Sequence, residues 1–342
     1  MKTGIYVPIP HVTAHSARLG EVDAAGRRGL DPGTVDPGYR LALDSVTEAE
    51  SLGFDIALFA ERHLGTDLES WVLAAAVASH THRITVMPAM NPDFWHPNIA
   101  AKMAATLDRV APGRSAINFV TGWNTAENTF FSTVRPTGEE EKYSRAERYI
   151  ETMRATWAAD ADLAAHLEEG EEFTAAPMPL VPAGGPPPFY TVSRSRRGLE
   201  MVARCADHWF VDYGTDPERP FAEVLETARV SVERMRERAA RYNRTVGFGL
   251  SAFVVPAETE RAGWDEVARL RAEATARSPE LVIPKLGAVG AQLVGPAELI
   301  GERVAAYAEI GVDLVLCKYV PEPDALPRLA SVLARDPAVA RR

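Results

Sequence analysis

The chain has 342 residues, long for one average domain but ordinary for a barrel with insertions, and its 46% hydrophobic and 25% charged residues supply a large core and exclude a disordered chain. Its 37 basic against 47 acidic residues leave a net charge of −10, which argues against nucleic-acid and anionic-membrane partners, since both select a basic surface. Cys205 and Cys317 stand far apart with no CxxC or His/Cys cluster, so neither a metal site nor a disulfide framework is expected and both read as buried small apolar residues.

The first strand-like run, 4–8, begins almost at once, with no leader-like pattern before it, and no apolar stretch is long enough to span a bilayer. A soluble, cytoplasmic protein is expected. Further strand-like runs follow at 56–60, 84–88, 115–120, 189–192, 208–211, 246–254 and 313–318. Between them the apolar period lengthens to that of helices, at 39–52, 70–80, 97–110, 144–158, 197–205, 220–242, 264–276 and 296–310, with a last helix at 324–333. Strands that alternate with helices predict a parallel α/β sheet, closed as a (β/α)8 TIM barrel or left open and doubly wound. The open form usually carries a glycine-rich turn after its first strand. Here that strand runs into Pro8-Ile9-Pro10-His11, so the closed barrel is favoured.

Two insertion segments break the alternation. The one near 160–188 is acidic, then rich in proline (Pro177, Pro179, Pro182, Pro186, Pro187, Pro188), which neither continues a helix nor donates to a ladder. The one near 278–292 precedes the last helix–strand pair, on the face where βα loops build active sites, and reads as a lid or as a variable surface loop. The whole of 1–342 is read as a single domain.

In such a barrel the functional groups sit at the C-terminal ends of the strands. The fourth strand ends in Asn118-Phe119-Val120-Thr121-Gly122-Trp123-Asn124, followed by Glu127, an unusual polar cluster for an element that only packs. After the fifth strand a helix starts near Arg196. The first N–H groups of a helix lack internal partners and, with the helix dipole, attract an anion. Ser195 adds a hydroxyl there and Arg196 and Arg197 add charge, although Ser195 serves equally well as a plain N-cap. The third strand leads into Asn91-Pro92-Asp93-Phe94-Trp95-His96, where Phe94 and Trp95 can wall a pocket or anchor a turn and His96 caps the next helix or packs near it. His11, after the first strand, is placed to line the pocket, and the second strand ends in Ala60-Glu61-Arg62-His63.

The pattern HP-x3-A-K-x-A-A-T-L-D from His96 to Asp108, then Gly113-Arg114, then Asn118 to Asn124, resembles the bacterial luciferase-like flavin monooxygenase superfamily, in its alkanesulfonate, dimethylsulfone and pyrimidine monooxygenase branch. The resemblance continues through Asp55 to His63, Leu68-Glu69-Ser70-Trp71, Lys142-Tyr143, Ser193-Arg194-Ser195-Arg196-Arg197-Gly198 and Leu293-Val294-Gly295-Pro296. It implies a (β/α)8 barrel that takes reduced FMN from a separate flavin reductase. It also implies transfer of one oxygen atom of O2 to a small organic substrate through a flavin peroxide, by a homodimer or homotetramer. On this resemblance Ala60, Glu61, Asn118, Glu127, Lys142, Tyr143, Ser195 and Arg196 hold the flavin, with Tyr143, Ser195 and Arg196 at its phosphate. Asn118, Asn91 and His11 are the candidate catalytic residues, Asn118 as an amide donor beside the reacting oxygen. Phe94, Trp95, Phe253 and Tyr319 are the candidate pocket walls.

Two departures bear on this. The phosphate turn opens with Ser193 where the family has glycine. The seventh strand, Phe248 to Phe253, lacks the basic pair that holds a sulfonate in the alkanesulfonate enzymes, which favours a neutral or partly aromatic substrate. Polar contacts then fall to Asp212-Tyr213 and Lys318-Tyr319, unless these pair structurally. Two alternatives stay open: an F420-dependent hydride-transfer enzyme on the same fold, and a non-catalytic flavin-binding homologue.

Overall fold

The computed structural model describes residues 1–8, 33, 35–61, 63, 68–122, 125–134, 138–158, 182–214, 216–277 and 287–333. The predicted strand runs form one closed barrel of parallel strands, paired in the order β1-β10-β7-β6-β5-β4-β3-β2. These are β1 (Lys2–Tyr6), β2 (Ile56–Phe59), β3 (Thr85–Met90), β4 (Ile117–Phe119), β5 (Phe189–Thr191), β6 (His208–Phe210), β7 (Gly247–Phe253) and β10 (Leu314–Lys318). Closure runs through β1, whose Gly4 pairs with Leu316 on one side and Ile56 on the other.

Around the barrel lie α1 (Pro37–Ser51), α2 (Ser70–Ala78), α3 (Pro97–Val110), α4 (Thr125–Phe131), α5 (Glu139–Ala158), α6 (Arg196–Cys205), α7 (Phe221–Ala240), α8 (Glu260–Arg277), α9 (Ala297–Glu309) and α10 (Ala325–Leu333). Their starts follow from side chains that take up free first-turn amides. Asp36 accepts from Tyr39 N at 3.0 Å ahead of Pro37, and the Glu69 carboxylate accepts from Trp71 N and Val72 N. His96 Nδ1 accepts from Asn98 N at 3.3 Å ahead of Pro97, so of the two roles open to His96, capping the helix or packing near it, it has the cap.

Period-two alternation sorts the strand side chains into two cores. Ile56, Leu58, Met87, Ala116, Tyr190, Phe210, Leu314 and Leu316 point inward and plug the barrel. Beneath them Tyr190 stacks on His208 with ring centroids 4.1 Å apart. The alternate residues, among them Ile5, Phe59, Phe119, Trp209, Val315 and Cys317, face the helices and join the larger outer core. A plugged barrel leaves its strand ends as the place for a site. Cys205 and Cys317 are both buried free thiols, and burial pushes Cys205 up to about 12. No helix among the described residues is long and apolar enough to cross a membrane.

Two features were not expected from sequence. Helix α4 follows the strand-four motif, and a two-stranded parallel sheet forms from β8 (Val255–Pro256) and β9 (Val294–Gly295). Both pieces are too short for periodicity to reveal. Of the two insertions, 159–181 and 278–286 lie outside the described residues. Around them, Asp108 Oδ2 accepts from Gly184 N at 2.6 Å, tying down the return of the first. A 3₁₀ turn, Gly287–Ala291, carries the end of the second into a small apolar cluster of Phe253, Val255, Val267, Leu270, Val289 and Val294.

Candidate active site

Asn118 lies between Ala89 of β3 and Tyr190 of β5. It shares the inward parity of Ala116, so its amide faces the barrel mouth above the apolar plug. It is 8% exposed, and its side chain makes no hydrogen bond to a described residue. An amide near the surface of a buried mouth with unused donors can serve a bound group. Thr121 and Gly122 complete the described part of the motif; Trp123 and Asn124 lie outside the described residues. Gly122 has φ +58°, and a Cβ there would press on Asn128 and on Asn91 Nδ2. The glycine leaves room for the Asn91 Nδ2 to Asn128 Oδ1 bond of 3.3 Å, which fixes Asn91 at the end of β3.

A group of hydroxyls gathers at the α6 N-terminus and reaches Thr121, three residues beyond Asn118. Tyr143 on α5 is 6% exposed, and its Oη lies 3.3 Å from Ser193 Oγ. Burial works to raise the Tyr143 phenol, but hydrogen bonding to Ser193 and Ser195, the Lys142 charge and Thr121 bring it below the usual phenol range. Lys142 Nζ sits 4.7 Å over the Tyr143 ring. Ser195 caps α6 by accepting from Gly198 N at 3.1 Å. A Cβ at Gly198 would collide with Ser193 Oγ and with Cζ and Oη of Tyr143 at 2.6 and 2.7 Å, so the two hydroxyls can pack against this helix start only because residue 198 is glycine. Ser193, where glycine was expected, is absent from the positive-φ residues, and its carbonyl accepts from Trp209 Nε1 at 3.1 Å. The replacement therefore adds a hydroxyl without backbone strain. Hydroxyl donors and an exposed Arg196 brought together at a helix N-terminus fit a phosphate monoester such as that of FMN. Arg197, expected to add charge here, instead turns onto α5 and binds Glu147 at 2.5 Å, Glu140 at 2.8 Å and Ser144 Oγ at 3.0 Å.

A second cluster forms where β2 and β3 end. Ala60 packs on the barrel plug. Glu61 Oε1 accepts from Trp95 Nε1 at 3.1 Å and lies 3.2 Å from His63 Nε2, near enough for an ion pair although not aligned as a hydrogen bond. Burial holds the Glu61 carboxyl above its ordinary value despite the opposing pull of His63, Trp95 and the Asn91 N–H. Glu61 in turn raises His63 against the effect of burial. Phe94 meets the His63 ring edge-on at 5.0 Å and Phe131 lies 5.2 Å away, while buried Glu127 accepts from His63 N at 3.3 Å. Trp95 thus bonds to Glu61 and packs on the outer core. Below, Asp93 is locked to Arg145 by bonds of 3.1 Å.

On the far side of the mouth the structure corrects one expected pocket wall. Tyr319 follows the outward parity of Val315 and Cys317; it lies in the outer core with its hydroxyl buried beside Ser45 of α1. Phe253 is 5% exposed and anchors the small cluster under the β8–β9 sheet. The inward residues here are Tyr6, Ser251 and Lys318, with Phe253 in step with Ser251. Tyr6 Oη lies 3.2 Å from Ser251 Oγ, and Lys318 Nζ stands 4.9 Å over the Tyr6 ring. The alternation through Leu314 and Leu316 could have separated Lys318 from Tyr319; nothing in the sequence singled out Tyr6 or Ser251. His11 lies outside the described residues.

A closed (β/α)8 barrel with an anion cradle and an inward amide at one end is built as a catalytic barrel of the flavin-binding kind. The luciferase-like monooxygenase family model matches residues 21–314, and the chain belongs to that family. It is 27% identical over 309 residues to the FMNH2-dependent dimethylsulfone monooxygenase of Pseudomonas fluorescens, covering 80% of each. Among solved structures, the EDTA monooxygenase from Chelativorans sp. BNC1 has a TM-score of 0.73 at 18% identity, over 97% of this chain and 92% of its own. An F420-dependent secondary alcohol dehydrogenase has a TM-score of 0.68 at 16% identity, over 98% and 99%. These two structures share the fold.

Proposed function

We propose that this chain is a reduced-FMN-dependent monooxygenase of the two-component type, acting on a small organic substrate. One observation carries the reading: the hydroxyls of Ser193, Ser195 and Tyr143 gather at the α6 N-terminus where Gly198 has no side chain, and they meet Thr121, on the segment that also carries the inward amide of Asn118. The similarity to an FMNH2-dependent monooxygenase along most of the chain supports it.

In this reading Ser193, Ser195, Tyr143, Arg196, Lys142 and the α6 N-terminus hold the phosphate. Ala60, Glu61 and Asn91 lie along the ring system, with Glu127 fixing the His63 backbone beside them. Reduced FMN, when bound, supplies the two electrons with which O2 is split between substrate and water. The protein's part is to place an amide donor, Asn118, at the reacting oxygen and to keep that donor rigid and shielded from bulk water. Phe94 walls the mouth next to His63. The chain works as a single domain, in a cytoplasmic homodimer or homotetramer, with a flavin reductase as its source of reduced cofactor.

The test supplies the purified protein with FMN, an NAD(P)H-dependent flavin reductase and O2, and in parallel with reduced F420 under argon. The expected outcome is FMN binding and, with a panel of small organic compounds, incorporation of one labelled atom from ¹⁸O2. Turnover with reduced F420 alone would move the chain to the hydride-transfer class. FMN binding with no product from any compound would leave a non-catalytic flavin carrier.

A further inference from the structure

We propose that Lys318 selects the substrate, and that the group it takes is an anionic oxygen group, a carboxylate or a sulfonate, on a small organic molecule. This rests on the reading of the mouth as a flavin-dependent oxygenation site.

The mouth has two unlike halves. On β2 to β5 stand the groups assigned to the flavin. Opposite them, on β1, β7 and β10, neighbours in the barrel order, stand Tyr6, Ser251 and Lys318. Lys318 is half-buried and points inward in step with Leu314 and Leu316. Its Nζ stands 4.9 Å over the Tyr6 ring. That ring is fixed by the 3.2 Å contact of its hydroxyl with Ser251 Oγ, and β7 by the Tyr213 hydroxyl, which donates to Ser251 O at 2.6 Å. An aromatic face holds an ammonium in place without using its three N–H donors.

No carboxylate among the described residues pairs with Lys318. Other arginines about the barrel are paired: Arg145 with Asp93 at 3.1 Å, Arg194 with Asp212 at 3.1 Å, Arg303 with Glu260 at 2.6 Å. A cation held half-buried and oriented in the mouth of a net acidic protein, with no carboxylate partner among the described residues, is a built receptor for an anion. It also alters the significance of an uncharged β7. Lys318 pairs with Phe253 across the β10–β7 ladder, so the positive charge missing from β7 stands on the adjacent strand.

The experiment uses FMN-loaded protein and two size-matched probe pairs: methanesulfonate with dimethyl sulfone, and benzoate with benzamide. Binding is read from the perturbed flavin absorbance. Wild type is expected to bind the anion of at least one pair about tenfold or more tightly than its neutral partner, a preference that shrinks as salt is raised. In Lys318→Met the preference falls to about one, and in Lys318→Arg most of it stays. Equal affinities in wild type, an unchanged preference in Lys318→Met, or binding of neither anion would overturn the proposal. FMN is titrated into all three proteins. If wild type fails to take FMN, the flavin reading fails and the proposal with it; if FMN binds equally in all three and charge makes no difference, the proposal alone fails.

Discussion

Tyr143 Oη and Ser193 Oγ lie 3.3 Å apart in the space where a side chain at Gly198 would begin. Any Cβ at 198 enters that space and must push both hydroxyls aside. Gly198→Ala is therefore expected to weaken FMN binding by about a hundredfold, roughly 3 kcal/mol, by an overpacking cost and lost phosphate donors. Fluorescence titration of FMN measures this. Ser195→Asp separates capping from anion binding: it retains the cap on Gly198 N but sets a carboxylate against the phosphate. Its melting temperature should hold while FMN affinity falls, and an unaltered affinity would remove this turn from the site.

Asn118 is the donor the proposed chemistry needs at the reacting oxygen. Asn118→Ala keeps the apolar plug and the phosphate turn, so FMN affinity should change little. Product per turnover should fall about a hundredfold, the usual scale for loss of one preorganised donor, with oxygen diverted to hydrogen peroxide. Product and peroxide quantified from the same reaction decide it. Unchanged coupling would assign Asn118 to packing only.

Glu50 offers a stability test away from the mouth. Its Oε1 accepts from the backbone N–H groups of His82, Arg83 and Ile84 at 2.8, 2.5 and 2.9 Å, which fixes the approach to β3. Burial opposes ionisation, but these amides and the Arg83 charge outweigh it, and the carboxyl sits below its ordinary value. A lowered folded value means stability that is present above the ordinary carboxyl range and is lost as pH falls through the folded value. Glu50→Gln should cost about 2 kcal/mol near neutrality. Melting curves should show the gap to wild type closing as pH falls below about 4. A gap independent of pH would mean that packing, not the charge, holds this corner.

The barrel was legible because its strands alternate with helices along the chain, and each strand run is apolar enough to be buried on both faces. The serine-capped helix start proposed to hold the phosphate was legible as a turn because a strand end, a serine and a helix start fall within a few residues, at Val192 to Gly198. What escaped depends on parity or distance. Tyr319 and Lys318 are neighbours in sequence and face opposite sides of the sheet. Arg197 looked like a phosphate ligand until α5 brought Glu140 and Glu147 against it. Tyr6 and Ser251 are far apart in sequence and meet only because β1 and β7 both flank β10. Phe253 keeps the inward parity of Ser251, but its packing with Val255 and Val294 of the two-residue strands β8 and β9 could not be read from β7 alone.

The Glu61–His63 pair predicts a titration at the end of β2. Their atoms lie 3.2 Å apart, and Glu61 is the largest cause raising His63 above the ordinary imidazole value. A raised folded value contributes stability that is fully present below the unfolded value, about 6.5, and is lost as pH rises through the folded one. Wild type should therefore melt above His63→Gln at pH 6, and that advantage should fade toward pH 9. Burial also raises Glu61, so its carboxyl acts in the same direction and does not mask the trend. The imidazole can be followed directly by NMR. In Glu61→Gln the His63 midpoint should drop toward or below about 6.5, because burial then acts on it with less opposition. A midpoint unmoved by that substitution would show that Glu127 and Glu69, the other carboxylates acting on His63, hold its proton instead.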